Sequence, residues 1–356
     1  NQLPFTELQT KKFAYVKLGD DSGSDFLQML KNYSKVDEIT NQNLNGLITK
    51  LKPYSHVIIG FHKSNANPWK TYKFTDKELV WLQEIARAKN VILDVFTSPY
   101  SLLQIKSFTN IETILVSYQN SKISQEISAQ LLFGVFQAKG KLPVSIGKNF
   151  SIGTGLATPN LNRLGYSISE EVNMSSKKLA KIDLFADTIL KEKMSPGFQV
   201  LVARKGMIIF QKSYGYHTEK KDFPVKNSDV YDVASLTKIL ASLPMIMRAE
   251  QEQKIQLNAK LFEILPSFKN SNKANISVKE LLSHYGRLPA WIPFYQGTQV
   301  NNTKANSPKY YSATKSDSYP LEVAENLYII KSITDSIYKF IKKSNLIENQ
   351  EYLYSD

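Results

Sequence analysis

Cysteine is missing from this 356-residue chain, so disulfides, thiolate metal sites and a cysteine nucleophile are excluded together. Its absence suits a reducing or an oxidising compartment equally. No apolar run approaches the ~20 residues that a membrane-spanning helix needs, so no integral membrane segment is expected. Histidine occurs only at His56, His62, His217 and His284, too scattered for a metal cluster, and no H-E-x-x-H is present. Neither a G-x-G-x-x-G loop nor a Walker-type lysine loop occurs, which leaves nucleotide binding without support. No metal or organic cofactor is implied.

Arginine is scarce as well: Arg87, Arg163, Arg204, Arg248 and Arg287 are the only ones among 45 basic residues. Against 32 acidic residues the net charge is +13, which directs attention first to nucleic acid. Residues 1–150 hold 18 basic and 12 acidic residues (+6), leaving 27 and 20 (+7) beyond them. An excess so evenly spread, and carried by lysine, describes a solvated surface, because base and phosphate readout favours the arginine fork. No nucleic-acid partner is expected. At 42% hydrophobic and 22% charged, the composition is that of folded domains, and the length suits two.

From residue 13 strand-length apolar runs (Phe13–Leu18, His56–Phe61, Val91–Phe96, Thr113–Tyr118) alternate with stretches of helical period (Asp25–Tyr33, Asn43–Leu51, Thr75–Lys89, Ile123–Phe136). Thr75-Asp76-Lys77-Glu78 has capping-box spacing and marks a helix start. The alternation predicts a three-layer α/β/α sandwich around a mostly parallel sheet. Ligands bind such folds at the carboxyl ends of the strands. The loop Phe61-His62-Lys63-Ser64-Asn65-Ala66-Asn67-Pro68-Trp69 fits that place, and it makes His62 and Asn65 candidate substrate-binding residues. Packing against a neighbouring domain is the competing reading of the same loop.

The strand order, this loop with Thr75-Asp76-Lys77-Glu78-Leu79 after it, and the closing Gly140-Lys141-Leu142-Pro143-Val144-Ser145 resemble the C-terminal sandwich domain of family-three glycoside hydrolases. The resemblance covers residues 1–148. It implies a domain bordering a sugar site whose nucleophile sits in a preceding (β/α)₈ barrel that this sequence does not contain.

Residues 149–170, rich in Gly, Ser, Thr, Asn and Pro, read as a linker, with a second domain over 171–356. A helix over Ser175–Glu192 is followed by Phe198–Arg204 and Met207–Ser213, two strands joined at Lys205-Gly206, a hairpin signal. In Tyr231-Asp232-Val233-Ala234-Ser235-Leu236-Thr237-Lys238, Ser-x-x-Lys spacing puts a hydroxyl and an amine one helical turn apart. A desolvated lysine can take the serine proton, and a helix N-terminus favours the developing negative charge. The same spacing occurs at Ser145/Lys148, Ser175/Lys178, Ser312/Lys315 and Ser336/Lys339. Only Ser235 follows a strand-like run and opens what reads as a buried helix, Ile239–Met247.

Pro196-Gly197-Phe198, Val200-Leu201-Val202-Ala203, Gly215-Tyr216 and Val233–Lys238 in that order resemble the serine β-lactamase and penicillin-binding-protein superfamily. The nearest branch is the class C, esterase-like one, whose next landmark is matched by Ile276–His284 with Gly286-Arg287-Leu288-Pro289. The resemblance covers 171–356 and implies a partial α+β domain, an antiparallel sheet plus a helical region, with Ser235 as nucleophile and Lys238 as base. The family's Tyr-x-Asn motif is best matched by Tyr354-Ser355-Asp356, making Tyr354 a proton shuttle and Asp356 a substrate-side residue, although Asp there favours a charged lysine. Tyr354 also reads as an amphipathic anchor, and Tyr285 competes for the same role. His284 reads as a hydrogen-bonding residue beside the site. Trp291, in Trp291–Tyr295, either walls the substrate cleft or packs in the core. Residues 296–320 read as an insertion over the cleft.

No Lys/His-Thr/Ser-Gly tripeptide occurs. The chain begins at Asn1 and stops just after a helical stretch, so it is expected to be a fragment with flanking domains at both ends. Joined together, the two resemblances look like a Bacteroidetes-type fusion of a β-N-acetylglucosaminidase with a serine hydrolase. They imply a modular hydrolase of the periplasm or cell envelope, with a small-molecule or cell-wall glycan or peptide substrate.

Overall fold

The computed structural model describes residues 3–66, 69–301 and 303–355. It divides into two compact units, one up to Asp229 and one from Val230 onward. Within 149–170, read from the sequence as a linker, several residues have partners in the first unit. Phe150 packs on the core of the first unit, the Thr158 N–H donates to the Ala138 carbonyl at 3.1 Å, and the Leu161 N–H to Gly134 at 2.8 Å.

In the first unit, five parallel strands are ordered β2-β1-β3-β4-β5: β1 (Phe13–Gly19), β2 (Val36–Glu38), β3 (His56–His62), β4 (Asn90–Phe96) and β5 (Ile111–Val116). Between them lie α1 (Ser24–Lys31), α2 (Leu44–Leu51) and α3 (Asp76–Ala88), and α4 (Lys122–Leu132) follows. The strand β2 has three residues at a sheet edge, too few to show a periodicity. Alternate residues of the central strands enter opposite layers. Val16, Ile59 and Leu93 join Leu47 and Leu82 on one face, while Phe13, Ile58 and Phe96 join Phe26 and Leu132 on the other. Burial of both faces removes the polar alternation, which is why these strands read as continuous apolar runs. The capping box forms: Thr75 Oγ1 accepts the Glu78 N–H at 3.3 Å, and Glu78 Oε2 accepts the Thr75 N–H at 2.7 Å. The other Glu78 oxygen takes the Gly19 N–H at 2.7 Å, fastening the helix to the end of β1.

The same unit continues through β6 (Gly165–Tyr166), α5 (Ser176–Leu179) and α6 (Lys181–Lys191), so the expected single helix is two. The hairpin β7 (Gly197–Arg204) and β8 (Met207–Gly215) turns at Lys205 and Gly206, with φ of 52° and 78°. Positive φ at both turn residues matches the twist of an antiparallel pair. Asp183 ties α6 to β8 by accepting from Lys212 Nζ at 2.8 Å and from the Tyr214 hydroxyl at 2.7 Å.

The second unit holds α7 (Leu243–Gln251), α8 (Leu261–Ile264) and α9 (Val278–Leu282). An antiparallel sheet follows, ordered β10-β11-β9 from β9 (Tyr311–Ser312), β10 (Leu321–Ala324) and β11 (Leu327–Ile329), and then α10 (Ile333–Lys343). Buried Lys273 holds the end of α10, donating to the Ser344 carbonyl at 2.6 Å and to Asn272 Oδ1 at 2.8 Å. The fold class is therefore α/β: a parallel sheet, then a small mixed sheet in which β8 pairs parallel with β6 and antiparallel with β7, and a separate antiparallel sheet.

Candidate functional site

Ser235 stands at the start of a helical run. Ala234 before it takes a left-handed φ of 43°, held by its N–H donating to Asp232 Oδ1 at 2.7 Å. Such a backbone is costly for a residue with a Cβ. Successive turns then close from Leu236 N to Val233 O, Thr237 N to Ala234 O and Lys238 N to Ser235 O, at 2.9 to 3.0 Å. A π-helical turn over Lys238–Ser242 leads into α7. Such turns frequently occur at functional sites. The one-turn spacing brings Lys238 Nζ to 2.9 Å from Ser235 Oγ, with the lysine donating. Lys238 Nζ also lies 5.4 Å from the centre of the Tyr354 ring, a cation–π distance. The three residues assigned catalytic roles are thus neighbours within one unit.

Two expectations change here. The helix after Ser235 is not buried: Leu240 and Met245 are each 64% exposed, and neither apolar core cluster includes a residue from it. Ser235 and Lys238 are themselves exposed. The desolvation expected of a basic lysine is therefore not supplied by the described residues.

Trp291 is 59% exposed, with its ring 6.1 Å from that of Tyr295. It lies on the surface, and of its two readings core packing is corrected. Tyr285 is exposed too, and its ring lies 6.2 Å from that of Tyr352. Asp356 lies outside the described residues.

His62 and Asn65 belong to the first unit. Asn65 is exposed, and its Oδ1 accepts the backbone N–H of Asn120 at 2.6 Å. His62 is fully buried at the end of β3. Asn120 Nδ2 donates to Asp21 Oδ2 at 2.9 Å and to the Ser22 carbonyl at 3.0 Å, so the amide oxygen faces His62 Nδ1 at 2.8 Å. An oxygen without hydrogen can only accept, so Nδ1 carries the proton and Nε2 accepts from the Tyr15 hydroxyl at 2.8 Å. Burial holds this histidine down at about 4, and burial likewise pushes the Tyr15 phenol far up. Both ring nitrogens are occupied in a neutral, buried ring. The expectation that His62 meets a substrate is therefore corrected: it locks the loops after β1, β3 and β5 to one another.

Sequence reasoning passed over Asp94, fully buried in β4 among apolar neighbours. The signal was visible as an acid inside Val91–Phe96. Asp94 Oδ1 accepts from Ser117 Oγ at 2.7 Å, Oδ2 accepts from Ser128, and the two hydroxyls are 3.0 Å apart. Burial raises its carboxyl to about 7, outweighing the Ser128, Ser117 and Val95 donors that pull it down.

Residues 185–320 match the family described as Beta-lactamase. The chain carries a beta-lactamase-like domain. The matched stretch holds Ser235 and Lys238 and ends before Tyr354. Among curated relatives, Protein flp of Staphylococcus aureus is 27% identical over 129 residues, covering 35% of this chain and 26% of that protein. The N-acetylmuramyl-L-alanine amidase of Bacillus subtilis is 28% identical over 157 residues, covering 40% of this chain and 34% of the relative. The chain thus spans only about a quarter to a third of the length of these relatives. Among solved structures, the GH3 exo-beta-xylosidase XlnD aligns with 39% of this chain and 22% of its own at 11% identity, with a TM-score of 0.32. Among the described residues, no helix is long and apolar enough to cross a membrane.

Proposed function

We propose that the beta-lactamase-like domain is a serine acyl-hydrolase. Ser235 Oγ attacks an ester or amide carbonyl, Lys238 Nζ receives the hydroxyl proton, and Tyr354 relays a proton to the leaving group. An acyl-enzyme on Ser235 is then released by water. The observation that carries this reading is the 2.9 Å contact between Lys238 Nζ and Ser235 Oγ at a helix start. Lysine must lose a proton before it can act as a base, and exclusion of water from the occupied site supplies the desolvation that favours this.

On the same reading the chain belongs to a modular enzyme of the periplasm or cell envelope, related to class C β-lactamases. The parallel-sheet unit is the accessory domain of a family-three glycosidase of the β-N-acetylglucosaminidase sort. The substrates are amides or esters of cell-wall muropeptides. The amidase relative supports that substrate class, since its name specifies an amide between N-acetylmuramyl and L-alanine.

A fluorophosphonate probe tests the reaction: label on Ser235 that disappears in Ser235→Ala supports it, and an unlabelled wild-type protein rejects it. The second reading is a serine domain that binds without turnover. The exposure of Ser235 and Lys238 favours it, because the described residues do not shut water out of the pair. It predicts unchanged ligand binding in Ser235→Ala and no covalent adduct in either protein.

A further inference from the structure

We infer that His284 is the positioning residue for Tyr354; the inference rests on the acyl-hydrolase reading of the Ser235 site. His284 directly follows the turn after α9, whose start is capped by Ser277 and Glu280. Its φ is 60°, a left-handed conformation that a histidine takes more readily than most residues. The turn holds the chain end at several points. Arg287 and Ile347 exchange hydrogen bonds, with the Ile347 N–H reaching the Arg287 carbonyl at 2.9 Å and Arg287 Nε reaching the Ile347 carbonyl at 2.5 Å.

At His284 the grip falls on the residues either side of Tyr354. The Leu353 N–H donates to the His284 carbonyl at 3.0 Å, and the Ser355 N–H donates to His284 Nδ1 at 3.2 Å. The His284 ring lies 4.5 Å from the Tyr354 ring at an interplanar angle of 34°. Ser355 Oγ adds a bond to the Pro289 carbonyl at 2.7 Å. Residues 353 and 355 are therefore both pinned to His284, and the ring between them packs on the same side chain. The far contact of that ring is Lys238 Nζ, 5.4 Å from its centre.

The geometry also assigns the tautomer. A backbone N–H can only donate, so Nδ1 presents its lone pair and the ring proton sits on Nε2. His284 touches neither Ser235 nor a reacting atom in this arrangement; it acts through Tyr354. Displacement of a proton-transfer group by about 1 Å is enough to cost on the order of a hundredfold in rate.

Two amide variants separate this role from simple stability. In His284→Asn the side-chain oxygen can occupy the Nδ1 position, and Asn tolerates left-handed backbone. In His284→Gln the amide reaches the Nε2 position and leaves the Ser355 N–H without its acceptor. Both lose the ring; they differ in tolerance of the left-handed backbone, which their melting temperatures read, and in the Nδ1 bond, which exchange of the Ser355 amide reads. The expected result is that Asn keeps the slow hydrogen exchange of the Ser355 amide and stays within a few-fold of wild type in the rate of fluorophosphonate labelling at Ser235. Gln is expected to lose the protection and to label about tenfold slower or more, with both variants melting within a few degrees of each other. Unchanged Ser355 exchange in Gln, or equal labelling rates in Asn and Gln, overturns the positioning role. A wild-type protein that takes no label rejects the acyl-hydrolase reading and this role with it. Normal wild-type labelling with no Asn/Gln difference rejects this role alone.

Discussion

Replacing Asp94 with asparagine should change how the stability of the sandwich depends on pH. Three side chains, the Asp94 carboxyl with the Ser117 and Ser128 hydroxyls, make three mutual contacts through four oxygens. An ionised carboxylate leaves only two hydroxyl protons for them, whereas the neutral acid supplies a third and closes the ring. The carboxyl is accordingly raised from 3.8 to about 7 by burial. Below pH 4 folded and unfolded chains both carry this proton. Between pH 4 and 7 only the folded chain does, so stability falls as pH rises, by about 1.4 kcal/mol per unit and about 4 kcal/mol in all.

His62 acts in the opposite sense. Its folded value is lowered from 6.5 to about 4, so between those limits the unfolded chain binds the extra proton. Its contribution is full above pH 6.5 and is lost on acidification, by about 3 kcal/mol. The two slopes offset each other between pH 4 and 6.5. Asp94→Asn keeps a third hydrogen for the ring and never ionises. Relative to wild type it should be near-neutral at pH 4 and about 4 kcal/mol more stable at pH 8, and it should expose the His62 slope below pH 6.5. Native-state hydrogen exchange of the β3 and β4 amides, comparing both proteins at the same pH, reads this unit by itself. A difference that is the same at pH 4.5 and pH 8, or a variant less stable at pH 8, refutes the reasoning.

Gly60→Ala should destabilise the same layer by about 1–3 kcal/mol, because a Cβ there comes 2.3 Å from His62 Nε2 and 3.0 Å from the Tyr15 ring. Hydrogen exchange at β3 would show it, and unchanged protection would mean that the Tyr15–His62 pair can move aside. Thr75→Ala should cost about 1 kcal/mol through the lost α3 cap, measurable as earlier exchange of the first-turn amides. No change would show that Glu78, through Gly19 and Thr75, fixes that helix end alone.

The alternation of apolar runs with helical periods was legible because the central strands β1, β3 and β4 are buried on both faces almost throughout. Thr75-x-x-Glu78 and Lys205-Gly206 were legible because caps and turns are satisfied by residues a few positions apart. Ser235 and Lys238 belong to the same class: one helical turn brings them to 2.9 Å. The contacts of residues 149–170 were not legible, since polar, glycine-rich residues resemble a linker whether or not their backbone groups find partners in neighbouring segments. Burial of the helix after Ser235 was misjudged for a related reason. Its apolar residues announce a face to be covered, while coverage is a property of other segments.

The sequence by itself determined the α/β class, the capped start of α3, the β7–β8 turn and the Ser-x-x-Lys pairing, all set by interactions within about one turn or one strand. The tertiary structure alone decided that His62 is locked between Tyr15 and Asn120, and that Asp94 closes a ring with two serines. It alone decided that His284 grips the residues flanking Tyr354. Those contacts join positions 23 to 71 residues apart, and their protonation and orientation follow from burial and from which partner must donate.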